Sequence, residues 1–279
     1  MEIDANGLTF TARAAGPHDG RPVVLLHGFP QSSWSWRRQL VRLAGAGYRA
    51  VAPDQRGYCP GARPAAVAEY AVPRLVADVL AVADTMEMPT FDLVGHDWGG
   101  MLAWVVGARH PERVRSLTVV STPHPEALRD ALLGGDRDQA ERSGYLALFQ
   151  RAEEPERLLL GEDGAGDGLR QMFASTGLDP VLAEEYVALM VQPGALTAAL
   201  DWYRAMDPAD VDALPPVIVP TLYVWSTGDA ALGRVAAEST AERVAGRYRF
   251  EVLDGVSHWI PEAAPDDLNR LLLEHLASV

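Results

Sequence analysis

The chain contains no lysine: all 24 of its basic residues are arginine. A lysine-free chain can place no P-loop lysine against a nucleotide phosphate and can form no lysine Schiff base with pyridoxal phosphate, so both enzyme classes are excluded. Cysteine is almost as scarce. Cys59 stands alone, which rules out an internal disulfide and a cysteine-based zinc site. Positive charge is in deficit, with 38 acids against 24 bases and a net charge of −14. That balance argues against nucleic acid and against an anionic membrane surface as partners. No run approaches the length of unbroken apolar residues that a membrane span needs. The start, Met1-Glu2-Ile3-Asp4, is acidic and has no apolar h-region, so the expectation is a soluble cytoplasmic chain without a signal peptide. What is present is ordinary globular composition, 48% hydrophobic and 22% charged over 279 residues. This suits one large domain, or a core with an insertion.

Along the first 120 or so positions, strand-like and helix-like segments alternate. Leu8–Ala12, Pro22–His27, Tyr48–Pro53, Phe91–Val94 and Val114–Ser121 read as strands. Trp34–Leu43, Val72–Met86 and Trp98–Ala108 read as helices, the second from apolar Leu75, Val79, Val82 and Ala83 at spacings of three and four. Such alternation implies a mostly parallel sheet with helices on both faces. From Thr122 to Leu214 no strand is expected. Helices are expected at Glu126–Leu133, Gln139–Gln150, Pro180–Met190 and Ala195–Ala205. Their starts are marked by Asp138 with Glu141 three later, and by Asp179 before Pro180. Residues 122–214 hold 18 acids and 7 arginines, a net −11, most simply a solvated helical exterior. After Pro215-Pro216 the α/β rhythm resumes with strands Val217–Trp225 and Arg247–Val252 and helices Arg234–Val244 and Pro265–Ala277. The expected domains are an α/β core over 1–121 and 215–279 and a helical insertion over 122–214.

Four local patterns carry chemistry. Gly95-His96-Asp97-Trp98-Gly99-Gly100 lies between a strand and a helix, the setting of a nucleophile elbow. Small flanking residues suit its tight, strained turn. The nucleophile would be the carboxylate of Asp97; the plainer reading is a glycine-rich helix start with Asp97 as N-cap. His27-Gly28-Phe29-Pro30 ends the strand one βαβ unit earlier. There Phe29 could offer a backbone N–H to an oxyanion hole, with Trp98 as the second donor, although the tetrapeptide alone also fits a simple strand-end turn. His258 stands on a loop past the last strand, in Gly255-Val256-Ser257-His258-Trp259. Of the other histidines considered, His110 and His275 lie late in helices, where capping suits them. His18 sits in a turn, His96 flanks the nucleophile and His27 is assigned a structural role. Asp229, after the strand ending at Trp225, is preferred as the acid over Asp254, which lies only four residues from His258. The order nucleophile, acid, base is then 97, 229, 258.

With these motifs together, the chain resembles the α/β-hydrolases with a helical cap, in the epoxide hydrolase and haloalkane dehalogenase branch, from about Leu8 to Leu276. Two residues depart from the family pattern: Ser226 stands where glycine is usual, and Cys59 where glycine or serine is commoner. The resemblance implies an α/β-hydrolase fold and a cofactor-independent, metal-free hydrolase. Epoxide hydrolases resemble one another in two cap tyrosines. Tyr203 in Trp202-Tyr203-Arg204 matches one, and Tyr145, four residues before Phe149-Gln150, matches the other; either could instead be a half-buried aromatic on an amphipathic helix. Phe29, Pro30, Trp98, Tyr145, Tyr203 and Trp259 are the implied substrate-binding residues.

The implied reaction converts an apolar epoxide to a vicinal diol. Asp97 forms an ester, and water activated by His258 and Asp229 hydrolyses it. A haloalkane dehalogenase is the alternative. Trp98 fits halide binding, but the His-Gly loop has Phe29 where an asparagine would be expected. A non-catalytic ligand-binding homologue is the second alternative. The expected state is monomer or homodimer.

Overall fold

The computed structural model describes residues 1–279. Eight strands form one sheet: β1 (Glu2–Ala5), β2 (Leu8–Ala15), β3 (Arg21–Leu26), β4 (Tyr48–Pro53), β5 (Phe91–His96), β6 (Val114–Val120), β7 (Thr221–Gly228) and β8 (Tyr248–Ser257). Their order is β1-β2-β4-β3-β5-β6-β7-β8. The first two pairings, β1 with β2 and β2 with β4, are antiparallel, and all the others are parallel. Strand β1 is an addition to the sequence reading. Its signal was the Asn6-Gly7 pair, where both residues take positive φ, as a two-residue hairpin turn requires.

The helices are α1 (Arg37–Gly45), α2 (Val72–Thr85), α3 (Trp98–Arg109), α4 (Pro125–Leu133), α5 (Arg137–Arg142), α6 (Tyr145–Phe149), α7 (Glu154–Leu160), α8 (Asp167–Ser175), α9 (Pro180–Met190), α10 (Ala195–Ala205), α11 (Arg234–Ser239), α12 (Ile260–Ala263) and α13 (Pro265–Ala277). Successive strand residues face opposite sides of the sheet. Val23 and Leu25 therefore pack in one core with Leu40 and Leu43 of α1 and Leu268 and Leu272 of α13. Val24 and Leu26 join the other core with α2 and α3. That second core continues into the helical segment through Phe173, Tyr186, Leu200 and Trp202. Every residue of α3 from Trp98 to Ala108 is buried, because the helix packs against β3, β5, β6 and α2 and its first residue, Trp98, meets Trp202 and Tyr203 of the helical segment. Each large apolar side chain so buried stabilises the fold by roughly 1.5–3 kcal/mol.

Between β6 and β7 there is no strand, only α4–α10 and one short 3-10 turn. Several expectations need correction here. Gln139–Gln150 is two helices, broken at Ser143-Gly144, because glycine is a poor interior helix residue. The N-cap of α5 is Asp136, which accepts from the Asp138 and Gln139 amides, and not Asp138. Asp179 caps α9 as expected, accepting from the Val181 amide. Helices α7 and α8 were not foreseen. Strand β7 begins at Thr221 rather than Val217, which makes only an isolated bridge to Val244. Pro220 stands directly before the strand and has no N–H to give a ladder. No helix is long and apolar enough to cross a membrane.

Candidate active site

Strand β5 delivers the chain to Asp97 and α3 carries it away. Asp97 itself has φ 52° and ψ −122°, a positive-φ conformation that is strained for a residue with a side chain. Close approach explains the glycines around it. A Cβ on Gly99 would strike the Leu26 carbonyl, and one on Gly28 would strike the Asp97 side chain. Asp97 makes no side-chain capping bond to α3. Its Oδ1 instead accepts the Phe29 N–H at 2.7 Å, from the loop after β3. Asp97 thus stands at the N-cap position of α3, but its carboxylate turns to the strand-end loop instead of capping the helix. The Phe29–Pro30 peptide is cis.

The three separated residues converge. His258 Nε2 lies 3.5 Å from Asp97 Oδ2, and its Nδ1 lies 2.8 Å from Asp229 Oδ2. Asp229 is buried, and its Oδ1 accepts the Ala231 and Leu232 amides at 2.8 and 3.0 Å. Both carboxylate oxygens of Asp229 are thus fixed. Asp254 points elsewhere and accepts from the Thr227 hydroxyl at 2.8 Å. Burial disfavours charge on His258, but the neighbouring Asp229 and Asp97 outweigh it and raise the imidazole pKa to about 10. For Asp97, burial pushes the pKa up, while the His258 hydrogen bond and charge and the Trp98 amide bring it below the usual carboxylate value. The resting arrangement is an ionised Asp97 beside an imidazolium.

Behind His258 runs a buried polar chain that sequence reading missed. His96 has Nδ1 2.9 Å from Gln31 Oε1 and Nε2 2.9 Å from the His258 carbonyl oxygen. Burial first, and the charge of His258 second, lower its pKa to about 4, so it is neutral near pH 7. Gln31 continues to Glu262 at 2.7 Å, and the Tyr186 hydroxyl donates to the same carboxyl. Burial raises the Glu262 pKa to about 7. His27 is structural, its Nε2 accepting the Gln55 amide at 3.0 Å. His124, passed over in the sequence, caps α4 by accepting the Glu126 amide. Gln139 and Arg142 of α5 were missed too. Gln139 holds the Ala231 carbonyl and the Gly233 amide, and Arg142 donates to the Asp229 carbonyl, so α5 pins the loop that carries Asp229. The family departures are accommodated. Ser226 donates to the Ser257 carbonyl, and Cys59 accepts the Thr11 amide. No group of three or more His, Cys, Asp or Glu side chains is placed to hold a metal ion.

Tyr145 opens α6 and Tyr203 lies near the end of α10, on separate helices of the insertion. Tyr203 sits among rings, edge-on to Phe29 at 5.3 Å, Trp98 at 5.0 Å and Phe149 at 5.1 Å. Its neighbour Trp202 donates to the Arg56 carbonyl at 2.9 Å, which fixes α10 against the core. Burial drives both phenol pKa values upward, so both stay protonated at neutral pH. A cavity of about 180 Å³ is lined by Asp97, His258, both tyrosines, Phe29, Pro30 and Trp259. Trp98 lines a second cavity that also reaches Asp97. Trp259 is anchored to the insertion through the Thr176 hydroxyl at 3.0 Å. Asp97, His258, Phe29, Pro30, Tyr145, Tyr203 and Trp259 thus line one cavity, with Asp229 behind His258 and Trp98 on the neighbouring cavity.

Residues 21–155 match a family described as having the alpha/beta hydrolase fold. An AB hydrolase superfamily protein of Bacillus subtilis is 34% identical, with 98% of this chain and 96% of that protein covered. Epoxide hydrolase A of Mycobacterium tuberculosis is 31% identical over 99% of this chain and 97% of its own. Epoxide hydrolase 4 of Mus musculus is 34% identical over 98% of this chain and 77% of its own. Among solved structures, epoxide hydrolase A from Mycobacterium thermoresistibile superposes with a TM-score of 0.85 at 28% identity, covering 99% and 97% of the two chains.

Proposed function

Since this chain belongs to the epoxide hydrolase family of the α/β-hydrolases, we propose that it adds water to an epoxide to give a vicinal diol, through an ester on Asp97. The observation that carries this reading is the meeting of Asp97, His258, Tyr145 and Tyr203 around one cavity.

In the first step an Asp97 oxygen attacks a ring carbon from the side opposite the C–O bond, which breaks. The ring oxygen leaves as a strongly basic alkoxide and needs a proton. Tyr145 and Tyr203, protonated at neutral pH, supply it. Asp97, now an ester, has lost its charge. One of the two carboxylates that held His258 protonated is gone, so the imidazole pKa falls. The His258 proton replaces the one the tyrosine gave, and His258 is left neutral with Asp229 still fixing its Nδ1.

In the second step His258 takes a proton from water as that water attacks the ester carbonyl carbon. The Phe29 N–H, 2.7 Å from Asp97 Oδ1, stabilises the oxyanion that forms on that oxygen, and the Trp98 N–H is the second donor. Collapse breaks the bond between the carboxyl carbon and the ester oxygen; the departing alkoxide takes the proton of the newly added hydroxyl, which leaves the diol, the Asp97 carboxylate and the imidazolium. The proton count closes: one water and one epoxide enter, and one diol leaves. The insertion serves as a cap that brings the two phenols to the nucleophile. No organic cofactor or metal takes part in this scheme, and the enzyme is proposed to act in the cytoplasm.

Incubating the protein with aryl, aliphatic and terpenoid epoxides, and separately with chloro- and bromoalkanes, tests the reading. Diol formation without halide release is expected. Fast halide release, or ligand-induced stabilisation with no turnover, would displace it in favour of dehalogenation or simple binding.

A further inference from the structure

The backbone carbonyl of His258 is a meeting point. The Ser121 hydroxyl donates to it at 2.9 Å, and His96 Nε2 stands 2.9 Å from the same oxygen. On the other side of the ring, His96 Nδ1 stands 2.9 Å from the Gln31 amide, which in turn lies 2.7 Å from Oε1 of Glu262. His96, Gln31 and Glu262 are all buried. The proposed base is thus backed by a closed chain of polar groups whose protons can be counted.

A neutral imidazole has one N–H and one lone pair. Burial, and then the charge of His258, keep His96 neutral near pH 7. The two ends of a glutamine amide have almost the same shape, so their partners decide which end faces which. With the Gln31 oxygen toward His96 and its NH2 toward Glu262, His96 must carry its proton on Nδ1. Its bare Nε2 then points at the His258 carbonyl oxygen, lone pair against lone pair. Glu262 would be an ionised acceptor, yet its Oε2 is buried with no partner, and a buried charged oxygen left unpaired is costly.

With the amide turned over, both defects go. Its NH2 donates to His96 Nδ1, His96 donates from Nε2 to the His258 carbonyl, and the Gln31 oxygen takes a proton donor from Glu262. Only the 3.4 Å contact from the Gly28 N–H to the amide oxygen is given up. A carboxylate has no proton to give, so this arrangement needs Glu262 as a neutral acid, and its unpaired Oε2 is then uncharged. The surroundings agree. Tyr186 of α9 donates to Oε1. Arg37 of α1 is held on the Trp34 ring and carbonyl and makes no hydrogen bond to Glu262. Burial outweighs Tyr186, Gln31 and Arg37 and raises the Glu262 pKa to about 7.

We propose that Glu262 is a positioning residue held as a neutral acid: by donating to Gln31 it fixes His96 as the Nε2–H tautomer, which holds His258 by its carbonyl. Ionisation of Glu262 reverses the amide and the tautomer and turns that attraction into repulsion. The hydrogen-bond chain stands on the geometry alone; its effect on catalysis rests on the role given to His258 above.

Two measurements test this. Long-range proton–nitrogen NMR of histidine-labelled protein reads the His96 tautomer. It should be Nε2–H below the Glu262 midpoint and shift to Nδ1–H as the pH rises through it. In Glu262→Gln, whose amide donates at every pH, it should stay Nε2–H throughout. The second measurement is the rate of Asp97 ester hydrolysis in single turnovers of both proteins. The titration of His258 is common to the two and cancels in their ratio. The wild-type rate relative to Glu262→Gln should fall about fivefold across the same interval, the effect of one hydrogen bond. An Nδ1–H tautomer at low pH, the same tautomer shift in Glu262→Gln, or a flat rate ratio would overturn the proposal. Failure to turn over any epoxide would remove the catalytic reading of the site, and the NMR titration would still decide the hydrogen-bond chain.

Discussion

Tyr203→Phe removes one oxygen and keeps the ring that packs against Phe29, Trp98 and Phe149. Tyr203 is 5% exposed and its ring is held edge-on by those three neighbours, so the variant should fold with little change in thermal midpoint. The catalytic cost should be large, because in the proposed mechanism the lost group is the proton donor to charge that appears only in the transition state. Removing one such donor typically costs on the order of 3 kcal/mol, or about a hundredfold in rate. Tyr145 lines the same cavity, so a single variant should retain slow opening, and Tyr145→Phe/Tyr203→Phe together should nearly abolish it. The step affected matters as much as the size. In the proposed mechanism the phenols act when the ring opens, so the loss should fall on formation of the Asp97 ester and not on its hydrolysis. Stopped-flow tryptophan fluorescence, with Trp98 one residue from the nucleophile, resolves the two phases under single-turnover conditions. An unchanged fast phase in the double variant, or a defect confined to the slow phase, would refute the role given to the tyrosines.

Two further outcomes follow from the imidazole. His258→Gln should form the Asp97 ester and fail to hydrolyse it, so intact mass should rise by the mass of the epoxide and stay there; normal turnover, or no alkylation, would count against the assignment. The second is a pH split. Esterified Asp97 no longer supports the imidazolium, so ester hydrolysis should speed up with rising pH and level off at a midpoint below the resting value of about 10, while alkylation shows no such rise. In the unreacted protein the sign runs the other way. A folded-state pKa raised above 6.5 stabilises the fold fully below that value, and the contribution fades as pH climbs through about 10. The wild type should therefore lose thermal stability relative to His258→Gln across that window, and parallel melting curves would argue against a buried imidazolium.

The residues proposed to form the triad were readable in the sequence because each sits in a short motif beside a strand end. Asp97 carries its glycines with it, and His258 and Asp229 follow in order. Helix α9 was legible from Asp179 before Pro180, and α2 from its apolar residues at spacings of three and four. The supports of the site were not legible, since they depend on contacts across long stretches of chain. Gln31 and Glu262 are 231 positions apart, and Gln139 reaches Ala231 across 92. Nothing local distinguishes these glutamines from surface ones. Helix α8 was hidden by the glycine- and acid-rich stretch before it, although Leu169, Met172 and Phe173 do repeat at spacings of three and four. The two cavities are products of packing between the insertion and the core, and no periodicity in either part announces them.

The covalent route through Asp97 is tested most directly by one turnover in water enriched in heavy oxygen, with enzyme in excess over epoxide. Hydrolysis by attack at the ester carbonyl leaves the label in the Asp97 carboxylate. The first diol then carries only its original ring oxygen and an unlabelled oxygen from Asp97. Mass spectrometry of the diol and of the peptide containing Asp97 reads both. The expected result is an unlabelled diol and a labelled peptide. A labelled first diol with an unlabelled peptide would mean that water opens the ring directly, and the ester would have no place in the mechanism.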